Sequence, residues 1–343
     1  MTIKFKAVGV SSIMELLLSE TKRTGLFLLL ILGIVGFVTA QPATYRYTPV
    51  SGWSGQVNDK LEAFLNSTKV IQTRKVAVFD CDGTLFGQVP YYLADEAIYD
   101  YAAHHYQGKN DARSQEKMAI IKRLKSEDNT SQQYVQDRID FLSGMRVEEV
   151  ERMGKDCFHE KYQQKFYPQM RCLLADLKDY GFEIWVVSAS PELLYQGFVH
   201  EGLGIPKDRI LGVKSVIHHD SVTSQIVFPV PQDGGKADLV QTQIKAQPLF
   251  AAGNSRGDME LMLSSIGLKM IINPDQKKVE TAESAGQMKG HTVLDFWRQQ
   301  PATVIVSCED VPNLPKGATN DTYFTTAKEG IKANAAHAAN EYE

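Results

Sequence analysis

The chain has 343 residues, enough for one large domain or two of medium size. Apolar residues make up 43% and charged residues 23%, so the material for a sizeable core is present. A formal net charge of −4, with no basic stripe interleaved with aromatics, argues against a nucleic-acid partner.

Residues 25–40 read GLFLLLILGIVGFVTA, an uncharged run preceded by Lys22 and Arg23. The run sits at the short limit for a membrane-spanning helix. Val38-Thr39-Ala40 supplies the small residues that precede a cleavage site, and counted from Met14 the basic start has an ordinary length. Residues 1–40 are therefore expected to be a signal peptide cut after Ala40, with an uncleaved membrane anchor as the alternative. Either would put the remainder outside the cytoplasm, periplasmic or secreted. Membrane contact would come only through an uncleaved N-terminal segment.

Residues 41–74 read as a linker and N-terminal extension, rich in Pro, Gly, Ser and Thr to residue 57, with a short helix over 58–67. Lys75 to Phe79 is a compact β-branched run and predicts a buried strand. It leads straight into Asp80 and Asp82, two carboxylates close enough to repel each other; an Asp-Gly turn is the plain alternative. Over 88–180 the apolar residues recur at spacings of three and four, as in YYLADEAIYDYAAHHY, QYVQDRIDFLSGM and MRCLLADLKDY, which predicts helices. Strand character returns with FEIWVV, ending at Ser188. SPELLYQGFVHEGLG then predicts a helix with Ser190 as N-cap, Pro191 in the first helical position and Gly202 or Gly204 at its end.

Short strands are expected over 211–217 and 224–229. A helix starts at Lys236, PLFAAG predicts a strand, RGDMELMLSSIG a helix and LKMIINP a further strand. Strand alternating with helix implies a parallel sheet covered on both faces. The expected fold is α/β: a Rossmann-like core over 75–87 and 181–310, an all-helical domain inserted at 88–180, and a polar C-terminal tail over 311–343. Cys81, Cys157, Cys172 and Cys308 lack CxxC spacing, which argues against a zinc knuckle. Cys157 and Cys172 lie in the same helical region, where a disulfide and two buried thiols are both open. The pairs His104-His105 and His218-His219 read as solvated side chains, because neighbours on a helix point in different directions.

In an open parallel sheet, ligands bind beyond the C-terminal ends of the strands. This chain puts Asp80, Asp82 and Ser188 there, then Lys236 after a Gly-Gly turn, then GNSRGD with Asn254 and Asp258. DCDGT, a strand-terminal serine, a downstream lysine and an acidic Gly-rich strand end resemble the haloacid dehalogenase superfamily over residues 74–275. SASPELL and DGGKADLV are most similar to its phosphoserine phosphatase-like branch, which carries a helical cap after the first strand.

The resemblance implies a Mg²⁺-dependent phosphatase that acts on a small phosphorylated metabolite through an aspartyl-phosphate. Asp80 would be the nucleophile, and Asp82 the general acid and then the base. Ser188, Lys236, Ala189 and Gly83 would hold the phosphate, and the helix near Ser190 would aim its amides the same way. Asp80, Asp82 through its backbone carbonyl, Asp258 and Asn254 would hold Mg²⁺, which prefers oxygen ligands. A dehalogenase has no alcohol leaving group to protonate, so Asp82 speaks against one. A phosphotransferase using the same intermediate, and a catalytically weak binding protein of the same fold, are the alternatives.

Two positions depart from the pattern. Asn254 stands where the family usually has an acid, which implies a weaker hold on Mg²⁺ or a larger share of the coordination for Asp258. Phosphoserine phosphatases carry a glutamate where this chain has Gln88 and Val89, so phosphoserine is disfavoured. Tyr91, Tyr92 and Glu96 at the start of the cap are the candidate substrate contacts. Aromatics there would suit a quaternary amine, and packing between cap helices is the other reading.

Overall fold

The computed structural model describes residues 45–88, 91–127, 129–274, 279 and 283–310. The expected signal or anchor over 1–40, the tail over 311–343 and Val89 lie outside the described residues. Among the described residues no helix is long and apolar enough to cross a membrane.

Helix α1 (Gly55–Ser67) starts where the Ser54 hydroxyl accepts from the Val57 N–H, and it buries Leu61 and Leu65. Strand β1 (Lys75–Phe79) is buried at every residue. Four helices follow: α2 (Leu93–His105), α3 (Ala112–Leu124), α4 (Gln132–Leu142) and α5 (Val147–Cys157). Asp111 and Ser131 cap α3 and α4 through the N–H groups of Ser114 and Tyr134. After a wider turn over Phe158–Tyr162 comes α6 (Pro168–Asp179), with its proline at the helix start.

Strand β2 (Phe182–Pro191) and helix α7 (Glu192–Leu203) come next, and Gly204 ends α7 in the left-handed region at φ 61°. Strands β3 (Ile210–His218) and β4 (Ser221–Val227) form a hairpin. The rest is α8 (Gly234–Leu239), β5 (Phe250–Gly253), α9 (Met259–Leu263), β6 (Leu268–Ile272), α10 (Val293–Gln299) and β7 (Thr303–Val306).

The sheet order is β4-β3-β2-β1-β5-β6-β7, parallel throughout except for the β3–β4 pair. Strand β1 is the middle one: Ala77 stands beside Ile184 of β2 and Phe250 of β5. Val76 and Val78 face a core of Val187, Leu239, Met262, Ile271 and Trp297. Burial on both faces is what made these strands read as unbroken apolar runs.

Several boundaries move. Helix α6 packs on β2, with Met170, Leu173, Leu174 and Leu177 as its buried stripe, so the chain rejoins the sheet layer at Pro168 and not after residue 180. Strand β2 runs on to Pro191, which becomes the N-cap of α7 in place of Ser190, because the Ser190 hydroxyl bonds to Asp82 instead. The helix expected over RGDMELMLSSIG is a 3₁₀ turn over Arg256–Asp258 followed by α9, which stops at Leu263. Strand β4 lies three residues before its expected start. Helix α10 and strand β7 are not among the elements that the sequence predicts. All four cysteines are free, with Cys157 buried and Cys172 exposed. His104 Nδ1 meets the Asp100 carbonyl at 2.8 Å, and His218 and His219 stack edge-on at the hairpin.

Helices α5 and α7 touch where Gly154 faces the Leu194 carbonyl; a Cβ there would stand 2.0 Å from that oxygen. Gly154→Ala is therefore expected to lower unfolding free energy by about 1–3 kcal/mol in urea titrations. Gly55→Ala, where nothing lies within 4 Å, is the control and should change little. Equal midpoints for the two variants would show that the α5–α7 crossing is loose.

Candidate active site

Asp80 follows β1 directly, and its N–H donates to the Ala252 carbonyl at 3.0 Å. The chain then winds around one acceptor: the Cys81 carbonyl takes the N–H groups of Thr84, Leu85 and Phe86 at 3.2, 2.9 and 3.2 Å. This turn needs Gly83 at φ 80°, and a Cβ there would fall 2.2 Å from the Asn254 amide. The Gly83 N–H is taken by the Phe86 carbonyl at 2.6 Å, so the expected phosphate contact from Gly83 is not open to it.

Lys236, in the first turn of α8, reaches between two acids. Its Nζ lies 2.6 Å from Asp80 Oδ1 and 2.6 Å from Asp258 Oδ1, and all three side chains are buried. Thr84 Oγ1 donates to Asp80 Oδ2 at 3.0 Å. Asp258 Oδ2 accepts from the Asn254 N–H, the Ser255 N–H and the Ser255 hydroxyl, each at 3.0 Å. The Asp258 carboxylate is thus committed to Lys236 and to its own loop. That corrects the expectation that it takes a share of a cation.

Asp82 turns to a different set of partners. Its Oδ1 accepts from Tyr195 Oη at 2.7 Å, and its Oδ2 from Ser190 Oγ at 3.1 Å. Ser188 Oγ stands 3.5 Å from the same Oδ2 and accepts from the Ser190 N–H at 3.1 Å. Ala189 lies between these two serines in β2.

Burial raises the proton affinity of both acids. It pushes the Asp80 carboxyl up to about 7, with the Asp258 charge adding and Lys236 opposing. It pushes Asp82 up to about 6 against the Tyr195 hydrogen bond and the Arg138 charge. Burial also opposes charge on Lys236 and Asp258, but each prevails through the other: the ammonium is held above its ordinary value and the carboxylate below.

Oxygen donors converge beside Asp80. The Asn254 amide packs against Gly83 and fits two ways. With its oxygen toward the Asp82 backbone carbonyl, two acceptors meet at 3.1 Å, an arrangement that a cation between them would satisfy. Turned over, its NH₂ donates to that carbonyl and its oxygen accepts from Gln88 Nε2 at 3.1 Å. Asp80, the Asp82 carbonyl and Asn254 Oδ1 form a hard oxygen set that suits Mg²⁺. Among the described residues no three His, Cys, Asp or Glu side chains gather to hold a metal, so a cation here would rest on one carboxylate, a carbonyl and an amide.

The cap residues divide. Glu96 is buried and pairs with Lys161 at 2.9 Å, so it is not brought to the crevice. The carbonyl of Tyr91 accepts from Tyr162 Oη at 2.9 Å. Tyr92 lies near the crevice: the Asp82 charge raises its pKa after burial, and its ring stands 5.6 Å from the Arg138 guanidinium.

Arg138 and Tyr195 went unseen in the sequence. Arg138 comes from α4, is buried, and bonds to Asp95 through Nε at 2.9 Å and to Tyr134 Oη at 3.0 Å. Its signal was a charge one turn after Tyr134 on an otherwise apolar stripe. Tyr195 lies in the first turn of α7, and nothing in the sequence says which way that turn faces.

The haloacid dehalogenase-like hydrolase family matches residues 77–263. No curated protein matches the sequence. Among solved structures, a conserved, functionally unknown protein from Anaerococcus prevotii DSM 20548 is 14% identical with a TM-score of 0.54, over 78% of this chain and 98% of that one. A phospho-aspartyl intermediate analogue of phosphoserine phosphatase is 20% identical with a TM-score of 0.39, over 59% and 87%. Cytosolic 5′-nucleotidase IIIB bound to cytidine is 13% identical with a TM-score of 0.45, over 82% and 93%.

The raised carboxyls tie stability to pH. Folded Asp80 and Asp82 keep protons that the unfolded chain has lost above about pH 4. Their contribution is full below that pH and fades as pH rises through 6 to 7. In the presence of a chelator, the urea midpoint should fall between pH 5 and 8, and Asp80→Asn should flatten the fall. A midpoint that rises over this range in the unsubstituted protein would contradict the buried acid pair.

Proposed function

The chain belongs to the haloacid dehalogenase-like hydrolases, and on that footing we propose that it hydrolyses phosphomonoesters of a small metabolite with Mg²⁺. The observation that carries this is the division of the two acids. Asp80 is aligned by Lys236 and Thr84, while Asp82, two residues on, is held apart by hydroxyls with its carboxyl near 6.

In the first step an Asp80 carboxylate oxygen forms a bond to phosphorus as the bond to the ester oxygen breaks. The leaving oxygen takes its proton from Asp82. In the second step Asp82 takes a proton from water, the water oxygen bonds to phosphorus, and the bond from Asp80 to phosphorus breaks. Inorganic phosphate leaves and Asp82 is again protonated. Lys236 offsets charge on the phosphoryl oxygens, and Tyr195 and Ser190 keep Asp82 in place. Mg²⁺, held by Asp80, the Asp82 carbonyl and Asn254, would neutralise charge between carboxylate and phosphate. Export, read from residues 25–40, belongs to the same proposal; N-terminal sequencing of the recovered protein tests it.

The test is phosphate release from a panel of phosphomonoesters, with Mg²⁺ and with a chelator. Turnover should need the metal and drop at least about 10³-fold in Asp80→Asn. Well-folded protein that turns over no ester would remove the reading. Asn254→Asp adds a charge to the oxygen set and should lower the Mg²⁺ concentration for half-maximal rate by about tenfold. An unchanged or higher requirement would take Asn254 out of that set.

A further inference from the structure

Two segments join the helical insert to the sheet: Gly87 and Gln88 on the way out, Lys165 to Tyr167 on the way back. They touch, with the Gly87 N–H donating to the Lys165 carbonyl at 2.9 Å and the Tyr167 N–H to the Leu85 carbonyl at 3.1 Å. A third segment runs onto them. Beyond β7, Ser307 accepts from the Trp53 indole at 3.1 Å, and Cys308 exchanges two hydrogen bonds with the Asn273 amide at 2.8 and 2.9 Å. This anchored strap carries Asp310 to the place where the two segments meet.

Asp310 engages both. Its Oδ2 accepts from the Gln88 N–H at 2.9 Å. Its Oδ1 pairs with Lys165 Nζ, with both side chains almost wholly buried, at 1% and 0% exposure. Gly87 lies at the crossing: a Cβ there would fall 2.0 Å from Asp310 Oδ1 and 2.7 Å from Lys165 Cε. Gln88 then lays its side chain over Gly83, and with the Asn254 NH₂ turned toward the Asp82 carbonyl its Nε2 donates to the Asn254 amide oxygen at 3.1 Å. One carboxylate is thereby linked to both crossings and, through Gln88, to an amide of the crevice.

A buried ion pair is a poor source of stability, since desolvation offsets its attraction. What it adds here is direction, because each oxygen of Asp310 fixes a different segment. We propose that Asp310 is a positioning residue: it clasps the two crossings and seats Gln88 against Gly83 and Asn254. Only the kinetic consequence of this clasp rests on the phosphatase reading above.

The experiment joins hydrogen–deuterium exchange with phosphate-release kinetics on Asp310→Ala, Asp310→Asn and the double variant Lys165→Met/Asp310→Leu. The double variant leaves no buried charge unpaired, so it keeps the test open if Asp310→Ala fails to fold. In Asp310→Ala and in the double variant, the Gln88 amide should exchange at least about tenfold faster while β1 and β5 keep their protection. Asp310→Asn, which retains an acceptor for that N–H, should recover part of the protection. The rate constant kcat should fall about tenfold or more with KM changed less, in the double variant as well. A Gln88 amide still protected without Asp310, or exchange rising equally across β1 and β5, would overturn the proposal. If the unsubstituted protein turns over no ester, the exchange results still decide the clasp, and only the phosphatase reading falls.

Discussion

An ammonium held between two carboxylates, out of water, organises this molecule. Lys236 is tolerable in the interior only because Asp80 and Asp258 each meet it at 2.6 Å. The three come from three separate elements, so the contact demands that the ends of β1 and β5 and the start of α8 lie at one level. Asp258 is fixed further by its own loop, which makes it the constant member of the trio. Asp80 shares its charge less firmly, and that is the property a group must have if it is to leave the lysine for another partner. With Asp82 included, the crevice gathers three carboxyls around one ammonium.

The second acid is kept out of that trio by its neighbours. Tyr195, Ser190 and Ser188 all belong to the stretch that leaves β2 and enters α7, and together they surround the Asp82 carboxyl. Arg138 adds a cation from the insert, itself balanced by Asp95. Ser188 and Ser190 of β2 and Tyr195 of α7 hold Asp82, while Thr84 and Lys236 of α8 hold Asp80.

What could be read in the sequence follows from what the residues are for. Strands β1, β2, β5 and β6 were legible because both their faces are buried, and the loop after β1 because Gly83 and the paired acids have few other uses. Strand β7 is four residues long and α10 only seven, too short to show a period. Ser190 before a proline looks like a cap, and only the position of Asp82 reveals the stronger claim on its hydroxyl. Glu96 looked like a substrate contact because Lys161, its partner, is far away in sequence. Arg138, Tyr195 and Asp310 share that difficulty: a polar residue's role depends on what the fold sets opposite it, and a single sequence does not state this.

The central place of β1 has a consequence for how the protein is made. Both neighbours of the strand come later in the chain: β2 pairs from Phe182 onward and β5 from Phe250. During synthesis β1 therefore waits, apolar from Val76 to Phe79, while the insert helices form from contacts local to themselves. Until residue 250 has emerged the strand that carries Asp80 has one open edge, and the contact of Asp80, Lys236 and Asp258 cannot assemble before residue 258 has followed. Such a strand is exposed to wrong pairing for longer than any other part of the sheet. Closing the crevice is thus a late event in folding, and a chain interrupted before β5 would hold Asp80, Asp82 and Lys236 but lack Asn254 and Asp258.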